Sequence, residues 1–231
     1  MMMDIFSSFD DNNFTLFSFS YLIWIFGLIP VFMTQNVLWA GNSRGSSLML
    51  SPKNFMSSQV MRTLGKRIGG FMNMVISIFL LLVFVNLLGL SPYVFSLSSH
   101  LSFAFCFGLP FWFSLILSGS FHNVSEVISH LLPSGAPSVL NPFLVLVETV
   151  SIGVRPITLS VRLAANMSAG HIILGLVGSY LSVGFFAFSF SILVLLLVVQ
   201  IFYFLFEIGV SLIQAYIFAL LVSLYSDDHP S

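Results

Sequence analysis

Residues 148–171 read ETVSIGVRPITLSVRLAANMSAGH. Most of this stretch is apolar, and it has the length of a membrane-crossing helix. It nonetheless carries Glu148, Arg155, Arg162, Asn166 and His171. A guanidinium stays protonated in a protein. At a bilayer centre it costs about 2.5–3.5 kcal/mol on the insertion scale. A chain that keeps Arg162 at such a depth uses its charge. The flanking sequence reads as scaffold that holds this stretch in lipid and supplies its polar neighbours.

That reading agrees with composition. Of 231 residues, 58% are hydrophobic and 6% charged, with a mean hydropathy of +1.05. Soluble domains carry about 25% charged residues, so this chain has too little charge to clothe a globule. It is an all-α polytopic membrane protein, a single membrane domain over residues 1–231. A net charge of -1 and the lack of a basic stripe argue against nucleic-acid binding. The single Cys106 excludes a disulfide framework and a cysteine metal site. The start, MMMDIFSSFDDNNF, has neither the basic region of a signal peptide nor the Arg-rich character of a transit peptide. The chain either inserts through its own spans or is made where it works.

Residues 1–15 are polar and acidic, and 16–39 form a first apolar span. Residues 41–70 then hold Arg44, Lys53, Arg62, Lys66 and Arg67, five of the seven basic residues, and no acid. The positive-inside rule puts this loop on the cytosol-equivalent side. Part of it, NFMSSQVMRTLGKRIG at 54–69, alternates apolar and basic positions at helical spacing, which predicts a helix lying on the lipid surface. Further spans are expected over 71–90, with Asn86 its one strongly polar residue, and over 101–120, bent at Pro110. A connection rich in Pro and Gly follows.

The last third is different. Residues 139–179 and 181–226 lack any loop-like polar patch. As continuous helices they would be roughly 60 and 65 Å long, against a hydrocarbon core of about 30 Å. Modest tilt cannot absorb that excess. Either each stretch breaks, or the two lie steeply tilted as a hairpin that turns near Gly178–Ser182. The hairpin is favoured, giving five to six helices in all.

Residues seven apart return to nearly the same helix face. Glu148, Arg155, Arg162 and, four further on, Asn166 therefore make one stripe. Arg155 is either offset by Glu148 in an internal ion pair or free for another role. Arg162 has no acid three or four residues away, so its partner lies on another helix or another chain. His171 turns about half a revolution from Arg162. In the second stretch Gln200, Tyr203, Glu207, Ser211 and Gln214 step by three or four, a continuous polar stripe inside apolar sequence. An ionisable Glu207 in a span points to an interior or water-lined surface. Antiparallel packing could bring it to His171. Ala164, Ala165, Ser168, Ala169 and Gly170 give a smooth face that permits close helix approach.

The motifs SVRLAANMSAGH and EIGVSLIQAYIFALLVSLY resemble the a subunit of F-type ATP synthases in its mitochondrial form. The similarity is strongest over 139–226 and loose before 70. It implies a tilted hairpin facing a ring of c subunits, other membrane and peripheral-stalk subunits as partners, contact with lipid, and the mitochondrial inner membrane as location. It implies no cofactor, only a transported proton, and no catalytic site for ATP on this chain. Arg162 matches the family's stator arginine, Asn166 its polar neighbour, and Gln214 the glutamine facing that arginine. His171 and Glu207 match the pair lining the half-channel from the intermembrane space. Glu148 matches the acidic position toward the matrix exit. Arg155 departs from many animal members, which leaves its role open.

Two other functions compete. His122, Glu126 and His130, four apart, could share a helix face and bind a metal as part of a membrane enzyme. A purely structural anchor is the other, and it leaves Arg162 and Glu207 unexplained. No glycine-rich nucleotide motif is present.

Overall fold

The computed structural model describes Phe9, Ile25 and residues 44–91, 94–130, 140–187 and 190–227. The expected polar N-terminus (1–15) and first span (16–39) otherwise lie outside the described residues, as does the Pro/Gly connection at 131–139. The described elements are all helical. Four of the helices are long and apolar enough to cross a membrane.

The first is α1, Arg44–Val60. It carries Arg44 and Lys53 and has two faces, and it ends before Arg62, short of the helix expected over 54–69. Met56 and Val60 are fully buried, while Leu50 and Phe55 are exposed. Phe55 meets Tyr216 of the last helix with ring centroids 5.6 Å apart. A short 3-10 turn, Leu64–Arg67, follows. Gly70 then starts the next helix with φ 81°, a left-handed conformation that costs glycine nothing.

Helix α2, Phe71–Gly89, is the best-buried span. After a 3-10 turn at Leu97–Ser99 come α3, Leu101–His122, and the short α4, Val124–His130. Pro110 lies within α3 without interrupting it. Asn123 is extended between α3 and α4. His122 therefore closes one helix while Glu126 and His130 belong to the next. The shared helix face on which the metal reading rests is not formed. The side chains of Glu126 and His130 lie outside the described set.

Helices α5, Asn141–Ala187, and α6, Phe190–Tyr225, are the two long members. Pro156 does not break α5. It is buried, and Ser160 Oγ donates to the Pro156 carbonyl at 2.9 Å. The turn expected at Gly178–Ser182 is not there, because α5 continues to Ala187 and α6 begins at Phe190. The serine hydroxyls of this stretch fold back onto the helix. Ser179 Oγ donates to the Leu176 carbonyl at 2.7 Å, and Ser182 Oγ to Ser179 at 2.8 Å.

The hairpin is antiparallel. Arg155 meets Tyr225, Asn166 meets Gln214, Gly170 meets Glu207, and Gly178 approaches Gln200. Position rises along one helix as it falls along the other. Helix α2 packs on α6, and α3 packs on α5. Phe218, Leu82, Leu163 and Met167 fill the interior. Lipid tails are as apolar as these side chains, so close van der Waals packing holds them together rather than escape from water.

The basic side of the bundle is tied to the last helix. Asp227 Oδ1 accepts the Leu64 backbone N–H at 2.7 Å. Gly65 is buried there. A Cβ on it would overlap Ser226 Oγ and stand 2.7 Å from the Phe71 ring. The surface segment and the end of α6 thus share one contact that only glycine fits.

Candidate functional site

The polar residues of the hairpin fall into three places. At the far end from the turn, Arg155 Nη2 and Glu148 Oε1 form an ion pair at 3.1 Å. The Arg155 guanidinium also lies 5.4 Å from the centroid of the Tyr225 ring, a cation–π contact. Of the two readings left open for Arg155, the internal pair is the one formed. Both side chains are half exposed.

Two helical turns from Arg155, the Arg162 side chain is exposed, and among the described residues no hydrogen bond or ion pair reaches it. It lies on an uncovered strip of α5. Val154, Ile157, Val161, Ala165, Ala169 and Ile173 are exposed along that strip. The expected helpers, Asn166 and Gln214, bond each other instead. Asn166 Nδ2 donates to Gln214 Oε1 at 2.8 Å, and Gln214 is buried. The guanidinium is flanked by this closed amide pair rather than clamped by it.

The third place is a buried junction. Glu207 is only 2% exposed, a costly position for a carboxylate in a bilayer helix unless other groups meet it. Tyr203, one turn earlier, sets its hydroxyl beside that carboxylate. Across the hairpin, Glu207 rests on Gly170. A Cβ at Gly170 would overlap Glu207 Oε1 and come within 2.6 Å of Oε2. Glycine at 170, the residue before His171, is therefore what lets the carboxylate lie between the helices. His171 and Glu207 do not bond each other. His171 Nε2 and Glu207 Oε1 are both buried, and neither has a hydrogen-bond partner among the described residues. The His171 ring meets Phe9 edge-on with centroids 6.4 Å apart.

Sequence reasoning expected antiparallel packing to bring His171 and Glu207 together; the fold sets Glu207 against Gly170, the residue before His171, with no bond between the two. That reasoning treated Gly170 as one of several small residues and so missed its specific contact. It noted Asn86 as a lone polar residue without assigning it. Asn86 is fully buried, and its Nδ2 donates to the Ser211 carbonyl of α6 at 3.2 Å. Its signal was present: one strongly polar side chain in an otherwise apolar span. Among the described residues no group of three His, Cys, Asp or Glu side chains could hold a metal ion.

Comparison with known proteins gives one family. The family model described as ATP synthase A chain matches residues 13–227. "ATP synthase subunit a" of the snail Albinaria caerulea is 39% identical over 231 residues, covering 100% of both chains. Proteins of the same name from Locusta migratoria and Drosophila melanogaster are 37% and 36% identical, with 99% of both chains covered in each case.

Proposed function

This chain belongs to the ATP synthase A chain family, and from that premise we propose that it is the proton-carrying stator subunit of a rotary ATP synthase in the mitochondrial inner membrane. The observation that carries the reading is Arg162: a permanent charge on a membrane-length helix, exposed on a strip of small and apolar side chains, with no carboxylate partner among the described residues. Such a charge is expensive unless an acid visits it. A ring of c subunits bearing carboxylates supplies that visitor.

In this scheme a proton arrives through the junction of His171 and Glu207 and neutralises a ring carboxylate. Neutral, that group can enter lipid. Rotation returns it from the other side, where Arg162 attracts the ionised form and favours proton release toward the matrix. The fixed guanidinium also opposes a proton passing straight between the two half-channels. Each charge moved across 100 mV yields about 2.3 kcal/mol, so several are summed for each ATP made on another chain. Glu148 belongs to the outlet, its carboxylate held by Arg155. The Asn166–Gln214 pair stiffens the hairpin beside Arg162. Peripheral-stalk and other membrane subunits keep the chain from turning with the ring.

The test is Arg162→Ala in the assembled complex. Proton-driven ATP synthesis should be lost while the amount of complex is unchanged. Arg162→Lys should also fail, because a lysine ammonium lacks the planar fork and the fixed protonation. An Arg162→Ala complex that makes ATP at the normal rate would leave only the anchoring role.

A further inference from the structure

Two guanidiniums stand on one stripe of α5. Arg155 is seven residues from Arg162, between it and Glu148. That is about 10 Å along the helix. A ring carboxylate is drawn in its ionised form to a nearby cation. Inside a bilayer that pull is strong, because the surrounding dielectric is low. A loose second guanidinium would compete with Arg162. It would hold the carboxylate ionised near the outlet and delay the next step of the ring.

The fold holds Arg155 from two sides. Its Nη2 pairs with Glu148 Oε1 at 3.1 Å, and its guanidinium carbon lies 5.4 Å from the centroid of the Tyr225 ring on α6. The two holders differ in kind. The ion pair lasts only while Glu148 is ionised, and an outlet acid is neutral each time it carries a proton. The face of an aromatic ring attracts the guanidinium whatever the charge on Glu148. Tyr225 is the last residue of α6, and the residues after it are tied down. Ser226 is fully buried against Gly65, and Asp227 Oδ1 accepts the Leu64 N–H at 2.7 Å. The ring is therefore anchored where the ion pair is intermittent.

We propose that Tyr225 is a positioning residue of the proton outlet: it keeps Arg155 beside Glu148 while that carboxylate is protonated, and so stops a second guanidinium from competing with Arg162 for the ring carboxylate. The ordinary alternative is a contact that only ties α5 to the end of α6. The inference rests on the proton-path reading, and the two can fail separately.

The experiment uses the whole complex reconstituted in liposomes, with ATP synthesis per assembled complex measured under one imposed proton gradient. Tyr225→Leu should slow synthesis by about tenfold, the scale of one lost cation–π contact away from water. Tyr225→Phe keeps the ring face and should restore most of that rate. The decisive variant is Tyr225→Leu combined with Arg155→Gln. With the competing charge gone, it should run faster than Tyr225→Leu alone, a coupling that a double-mutant cycle reads directly. A tying role instead lowers the unfolding midpoint of Tyr225→Leu and leaves its rate per complex unchanged, which overturns the proposal. A slowed Tyr225→Leu that Arg155→Gln does not relieve overturns it as well. If the leucine variant does not assemble, Tyr225→Met, whose flexible side chain fills irregular gaps, is read in the same way. Arg162→Ala is run beside these variants. Normal synthesis in Arg162→Ala sinks the parent scheme. Lost synthesis there, with an unslowed Tyr225→Leu, sinks this inference alone.

Discussion

At the scale of single residues, the proposed proton path depends on one glycine and two titratable groups. Gly170 gives Glu207 the space it occupies, so Gly170→Ala should push the carboxylate out of the junction. Misplacing a reacting group by about 1 Å can cost on the order of 10²-fold in rate. We expect a loss of proton-driven synthesis up to that size, measured against the amount of assembled complex. Gly175→Ala is the control, since nothing lies within 4 Å of a Cβ there. Glu207→Gln keeps the shape and removes the titrating proton. It should slow synthesis without preventing assembly, and full activity in that variant would remove Glu207 from the path. The neighbouring Asn166–Gln214 bond makes a different point. Two amides expected to serve Arg162 serve each other, because a neutral amide pair between helices closes at 2.8 Å without needing the charge.

At the scale of elements, the contact between the 3-10 turn and the end of α6 fixes where the hairpin ends. Asp227→Ala removes the acceptor for the Leu64 N–H. That should lower the stability of this end by about 1–2 kcal/mol, read as a drop in the unfolding midpoint of the complex with little change in turnover per complex. Gly65→Ala should be worse, because its Cβ meets both Ser226 and Phe71. Equal stability of Gly65→Ala and the parent chain would show that the clasp is not needed. The alternation of basic and apolar residues over 54–69 predicts one helix there, whereas α1 covers Arg44–Val60 and the basic residues Lys66 and Arg67 fall in the 3-10 turn. The burial of Met56 and Val60 against the bundle was not legible, because both faces of such a helix can read as lipid-facing.

At the scale of the whole molecule, length and bilayer thickness are in conflict. Helix α5 has 47 residues, so it is about 70 Å long. To keep it within a core of about 30 Å its axis must lie about 65° from the membrane normal. A density map of the complex in a lipid nanodisc checks this directly. An α5 standing upright, with half its length in water, would overturn the tilted arrangement. The apolar surface left uncovered along α5 and α6 argues against that outcome, since upright ends would put it in water.

The sequence alone determined the class of protein, the spans from residue 71 onward and the two long helices, since these follow from apolar run length and the scarcity of charge. It also picked out Arg162, His171 and Glu207, because an ionisable group in a membrane span is costly enough to stand out in one dimension. Tertiary structure decided what touches what. Helix α5 runs through the expected turn at Gly178–Ser182 to Ala187, and Ser179 and Ser182 bond their own helix backbone there. Arg155 was settled by Glu148 two turns away, a choice that depends on rotamers. Gly65, Gly170 and Asn86 matter through contacts with residues 37 to 161 positions away in the chain. Neither composition nor periodicity carries such pairings; they exist only once α2, α5 and α6 have packed.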